Sequence, residues 1–118
     1  MKLIIAGSRK LQLDYYHIRC FLDVMGIDHS DPELIISGGA SGVDSAAKVF
    51  ADRYGIPFQE FPADWNKHGK AAGPIRNEQM AMHGTHLLLI WDGKSSGSAN
   101  MLMNARKLQL PTENRIVA

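Results

Sequence analysis

The sequence predicts an α/β fold, with a mostly parallel five-stranded sheet as the middle layer of a three-layer α/β/α arrangement. Three observations lead there. Short apolar, β-branched runs alternate with stretches of helical periodicity from one end of the chain to the other. The runs are apolar at successive positions, as in parallel strands buried on both faces. Three of them end in polar turns rich in glycine or serine, at residues 7–9, 38–42 and 93–98. Right-handed crossovers favour the strand order 3-2-1-4-5, with the first and fourth strands side by side at the switch point. All three turns then open at one carboxyl edge.

Residues 2–6 form the first strand and end in Gly7-Ser8-Arg9, where small residues and a cation suit an anionic ligand. Asp14 caps a helix to about Met25, with Tyr15, Ile18, Phe21, Leu22 and Met25 at core-facing spacing. Within it Cys20 is expected to be buried as a small apolar residue. After a polar turn at 26–32, residues 34–37 are the second strand, and the glycine turn leads into a helix from Val43 to a stop at Gly55. Residues 57–61 read as a short third strand. Residues 62–74 form the longest irregular stretch, a length that marks function in compact domains, and Trp65 argues against disorder. Pro74 suits the start of a helix through Met82. Arg76 and Asn77 then fall in its first turn, where a cation opposes the macrodipole and gains nothing locally, which points to a task for Arg76 outside the helix. Residues 86–91 are the fourth strand, 99–108 a helix in which Met101 and Met103 pack, and 115–117 a fifth strand beyond Pro111.

At 118 residues the chain supports one core, so residues 1–118 are expected to be a single domain. A net charge of +1 gives no global case for nucleic acid or an anionic membrane, so any basic site is local. The lone Cys20 excludes an internal disulfide and fits a reducing compartment. The N-terminal apolar run is too short for a signal peptide, and none approaches membrane-spanning length, so a cytoplasmic location is expected. Five histidines without i,i+4 pairing and no acidic cluster beside them predict no metal, and no cofactor is expected.

Candidate chemistry centres on Ser37-Gly38-Gly39-Ala40-Ser41-Gly42-Val43-Asp44. Its glycines let backbone approach a ligand, and loop amides before a helix favour a phosphate-type anion. It is neither G-x-G-x-x-G nor a P-loop, so neither standard dinucleotide binding nor ATP hydrolysis is supported. Gly7, Ser8, Arg9 and Arg76 join it as phosphate-site candidates, with Asn77 beside them; the alternatives are a tight turn whose glycines serve only helix-sheet packing and arginines that are surface salt-bridge partners. Asp44 either offsets the helix dipole or contacts a ribose hydroxyl. Trp65 either plugs the core edge or stacks on a base. Lys70 is either a solvated loop residue or part of a lid, and Asp92, Ser96, Gly97 and Ser98 either shape the second glycine loop or flank the ligand.

Ala6-Gly7-Ser8-Arg9, the Ser37 to Asp44 loop, and Phe61-Pro62-Ala63-Asp64-Trp65 through Gly69-Lys70-Ala71-Ala72-Gly73-Pro74-Ile75-Arg76-Asn77 resemble the YspA/YpsA-related branch of the SLOG superfamily, named after Smf/DprA and LOG. The resemblance spans nearly the whole chain. It implies a Rossmann-like domain of bacteria and phages that binds nucleotides or nucleotide-derived ligands, and a homodimer paired through helices. LOG proteins, a related group, cleave the base from nucleoside monophosphates with a glutamate whose matching position here is Met101, so Asp44 or Glu78 would have to replace it as a catalytic carboxylate. DprA uses a similar glycine loop and binds single-stranded DNA, against which stands the near-neutral charge. The expectation is a module that binds or senses a nucleotide-like small molecule, with slow N-glycosidic hydrolysis as its enzymatic extension. A LOG-like phosphoribohydrolase and a DprA-like nucleic-acid binder are the alternatives.

Overall fold

The computed structural model describes residues 1–117. The chain runs β1 (Lys2–Gly7), α1 (Tyr15–Met25), β2 (Leu34–Ser37), α2 (Val43–Tyr54), β3 (Phe58–Glu60), α3 (Trp65–His68), α4 (Ala72–His83), β4 (His86–Trp91), α5 (Ser96–Lys107) and β5 (Thr112–Ile116), with a 3-10 turn at Gly69–Ala71. The strands form one sheet in the order β3-β2-β1-β4-β5, and every pairing is parallel. The predicted order holds, and the Rossmann-like α/β architecture with it.

Side-chain alternation along the two central strands divides the core. Leu3 and Ile5 of β1 and Leu88 and Ile90 of β4 pack with Ile18, Leu22, Ala47 and Phe50 of α1 and α2. Ile4, Leu87 and Leu89 pack on the opposite face with Met80, Ala81, Met101 and Leu102 of α4 and α5. Burial on both faces explains why these strands carry no polar position at their centres. Each fully buried Leu, Ile or Phe contributes about 1.5–3 kcal/mol of transfer free energy. α1 and α2 stop at Gly26 and Gly55, both left-handed (φ 75° and 65°), the second as expected from sequence.

The differences from expectation lie at element ends. Asp64 caps α3 by accepting from Lys67 N–H at 3.0 Å, so part of the stretch read as irregular is helical. α4 begins at Ala72 rather than Pro74, which moves Arg76 and Asn77 into its second turn and removes the first-turn dipole argument. Ser95 caps α5 through Ser98 N–H, so Ser96, Gly97 and Ser98 are helical and not loop. Cys20 is exposed, because burial of Ile18 and Leu22 one turn apart turns it to the far side of α1. Met103 is exposed as well, while Met101 is buried.

Candidate functional site

The loop after β2 is laid directly on the end of β1. Gly42 has φ 71°, and a Cβ there would lie 2.5 Å from the Ser8 and Arg9 carbonyl oxygens. Ser41 Oγ donates to the Arg9 carbonyl at 3.3 Å, and Val43 N–H to the Ser8 carbonyl at 3.4 Å. On the loop's other flank, Arg76 Nη1 donates to the Gly38 carbonyl at 2.8 Å, in space that a side chain at 38 would fill. The Arg76 Nε donates to Asn77 Oδ1 at 3.0 Å. Asn77, itself buried, uses Nδ2 to donate to the Gly97 carbonyl and to Asn100 Oδ1, at 3.1 and 3.0 Å. α4 therefore links the loop after β2 to the first turn of α5. The loop after β4 is fixed to β1 in turn, since Asp92 N–H donates to Ser8 Oγ at 3.1 Å. The Asp92 carboxylate accepts from the Lys94 and Ser95 amides, which hold it below the usual carboxylate range.

Asp44 is the buried carboxylate of this edge, 6 % exposed. Its Oδ2 accepts from Ala40 N–H at 3.0 Å, and its Oδ1 has no partner among the described residues. Burial pushes its carboxyl up, against the Ala40 amide, the Ser37 hydroxyl and the Arg76 charge, which pull it down. Ser37 can give little as a donor, because its Oγ donates to the Ile5 carbonyl at 2.9 Å. A carboxyl raised in the fold is held more readily as the acid, so its contribution to stability is full below about pH 4 and is lost as pH rises through the folded value. Asp44→Asn keeps an acceptor for Ala40 and removes the charge. It is expected to be more stable than wild type at pH 7, with the gain vanishing toward pH 4. Urea unfolding across that range checks this, and parallel pH profiles for the two proteins would contradict it.

Three recesses open at the carboxyl edge, and Arg9 and Arg76 line all of them. The largest, about 830 Å³, lies between α4 and α5 and is lined by Ser8, Lys10, Trp65, Lys70, Asn77, Asp92, Lys94, Ser95, Ser96, Gly97 and Asn100, among others. A second, about 320 Å³, lies over Gly38, Gly39, Ala40 and Ser41 and reaches Glu60, Pro62, Ala63 and Trp65. The third, about 70 Å³, holds Gly7, Ala40, Asp44, Ser98 and Met101. Trp65 is 51 % exposed and borders the two larger recesses, which places it at the site's wall and not as a core plug.

Most of the residues singled out from sequence therefore meet at one edge. Ser37 and Gly42 stand behind it, supporting the loop without lining a recess. Glu78 is not brought there: it is exposed on α4 and lines none of the three. Sequence reasoning missed Glu60, Lys10, Lys94, Ser95 and Asn100. Ser95 carried a readable signal, a serine three residues before Ser98 at a helix start. Nothing local marked Asn100, whose role depends on Asn77 across the α4–α5 contact.

Five cations, Arg9, Lys10, Lys70, Arg76 and Lys94, line the largest cleft against one carboxylate, Asp92. None of the five is in an ion pair among the described residues. Burial draws the Arg76 guanidinium below the usual arginine range; Asp44 opposes this and the charge of Arg9 adds to it. Chemically, the edge offers a concave, locally positive surface with two guanidinium groups, backbone amides and an indole face. Among the described residues no group of three or more His, Cys, Asp or Glu side chains could hold a metal ion, and no helix is long and apolar enough to cross a membrane.

The comparisons agree with this architecture. The family model described as "YspA, cpYpsA-related SLOG family" matches residues 1–68, which run from β1 through α3 and include Arg9, the glycine loop, Asp44 and Trp65. The "Gene 61 protein" of Mycobacterium phage D29 is 31 % identical over 87 residues, covering 69 % of this chain and 70 % of the phage protein. With its glycine loop seated on the end of β1 in a sheet of order 3-2-1-4-5, the chain belongs to the YspA, cpYpsA-related SLOG family.

Proposed function

We propose that the protein binds a nucleotide or nucleotide-derived small molecule at the carboxyl edge of its sheet, with Arg9 and Arg76 contacting the phosphate-type group. One observation carries this: two guanidinium groups free of ion pairs line all three recesses, beside lysines and a glycine loop. Paired arginines suit bidentate contact with phosphate oxygens. Family membership is consistent with nucleotide-related binding or sensing. The largest recess is also within the size range of small-molecule sites, about 300–1,000 Å³.

A thermal-shift screen against nucleoside mono-, di- and triphosphates, ADP-ribose-type compounds, cyclic nucleotides and oligonucleotides tests the proposal. A ligand at a hundred times its dissociation constant adds about 2.7 kcal/mol, a shift of several degrees in a chain of this length. Arg9→Glu, which reverses one charge at an exposed position, is expected to remove that shift while leaving the unliganded melting temperature within about 2 °C. Protection only by oligonucleotides, falling steeply with salt, would replace this proposal with nucleic-acid binding.

A hydrolytic extension has one observation in its favour. Asp44 and Met101 both line the smallest recess, and Asp44 Oδ1 is buried without a hydrogen-bond partner among the described residues. That carboxylate can stabilise an oxocarbenium-like centre or activate water where Met101 cannot. Release of free base from a nucleoside monophosphate by wild type, abolished in Asp44→Asn, would support it; base release at the same rate in both would exclude Asp44.

A further inference from the structure

Glu60 is a carboxylate that phosphate binding leaves without a task. It ends β3 in register with Ser37, the residue that ends β2. Its side chain lies against the glycine loop, where a Cβ on Gly39 would be 2.5 Å from Glu60 Cδ. It lines the 320 Å³ recess together with Arg9, Arg76 and Trp65. Among the described residues it takes part in no ion pair, although two arginines border the same recess.

The local order is strand, glycine turn, helix, strand, with an acid at the end of the second strand. In dinucleotide-binding folds generally, an acid roughly twenty residues beyond the glycine turn accepts from ribose hydroxyls. Glu60 stands at that separation from the Gly38–Gly42 turn, with the whole unit displaced one strand toward the sheet's edge. An ionised carboxylate only accepts hydrogen bonds, and its two oxygens match a vicinal diol. It also repels phosphate, so the two charge signs at this edge sort the ligand. Phosphate belongs in the large cleft, where Lys10, Lys70 and Lys94 join Arg9 and Arg76; in the smaller recess the same two arginines share the lining with Glu60, and the end beside Glu60 suits a neutral, donor-bearing group.

On that basis, and resting on the nucleotide proposal above, we infer that Glu60 is a specificity residue. It accepts hydrogen bonds from the 2′- and 3′-hydroxyls of a ribose seated between the glycine loop and Trp65. The ligand class is therefore a ribonucleotide whose 2′ position carries a free hydroxyl, discriminated from deoxyribonucleotides and from 2′-phosphorylated forms.

The test is calorimetric titration of wild type, Glu60→Ala and Glu60→Gln with the four ribonucleoside 5′-diphosphates, their 2′-deoxy counterparts and adenosine 2′,5′-bisphosphate. Glu60 is exposed, so both variants are expected to fold, which circular dichroism checks. Wild type should prefer the best ribonucleotide over its deoxy form by about tenfold or more, as for a hydrogen bond to a charged acceptor. Glu60→Ala should reduce that preference to within about threefold, and Glu60→Gln should improve binding of the 2′-phosphorylated compound by about tenfold. Equal binding of ribo- and deoxynucleotides by wild type, or a preference that survives in Glu60→Ala, overturns the inference and leaves the nucleotide proposal standing. No binding of any of these compounds by wild type overturns the inference, and silence across the wider thermal-shift panel as well overturns the nucleotide proposal with it.

Discussion

Gly7→Ala is expected to lower the melting temperature by more than about 10 °C or to prevent folding, a cost of at least about 3 kcal/mol. Gly7 closes β1 in register with Ile90 of β4, and Ser8 N–H donates to the Ile90 carbonyl at 3.1 Å. A Cβ on residue 7 would run into that carbonyl oxygen and lie 2.8 Å from Val43 Cγ2. Neither neighbour can yield cheaply, since one is central-sheet backbone and the other a fully buried side chain at the start of α2. Gly97→Ala is the control. Gly97 is in the first turn of α5 and a Cβ there meets nothing within 4 Å, so alanine is expected to be neutral or to stabilise by up to about 1 kcal/mol. Thermal unfolding of the two variants reads both effects; a Gly7→Ala protein that melts with wild type would mean that the β1–β4 junction opens far more easily than its packing implies.

Arg76→Ala is expected to weaken nucleotide binding by about 100-fold, the upper range for a charge-assisted contact, and to cost about 1–3 kcal/mol of stability. Two losses combine. The ligand's phosphate-type group loses a guanidinium, and the Gly38 carbonyl and Asn77 Oδ1 lose their donors. Removing the cation near Asp44 also raises that carboxyl further, so the stability difference from wild type should widen with pH above about 4. Arg76→Lys keeps the charge without the planar fork and should fall between the two. Calorimetry with the nucleotide found in the screen, alongside urea unfolding, separates the effects; wild-type affinity in Arg76→Ala would place the binding site elsewhere.

The sheet was legible because its signals are local. The apolar runs at β1, β2 and β4, and the glycines ending α1 and α2, each state their structure within a few residues. The site was legible only as a collection of parts. The glycine loop and Arg9 announced themselves at strand ends, whereas the reason for Arg76 was misread as a first-turn position. Its actual tie, to the Gly38 carbonyl, joins residues 38 apart in sequence and leaves no local pattern. Glu60 escaped for a similar reason: read as one position of a short strand, it acquires meaning only when β3 pairs with β2 and brings it level with Ser37. Trp65 shows the limit of residue type alone, since an indole beside a cap residue serves equally as plug or wall until its exposure is known.

The Asn77 bridge bears on how such a site could be altered. Its amide is committed at both ends, to Arg76 on one side and to Gly97 and Asn100 on the other. The inner ring of the site is thus a closed frame that tolerates little independent drift. The outer wall, Glu60 through Lys70, hangs from that frame by short and largely exposed segments. Retuning which ligand is accepted is therefore a matter of exchanging that wall as a cassette, with the frame left in place as a reusable anion-gripping chassis.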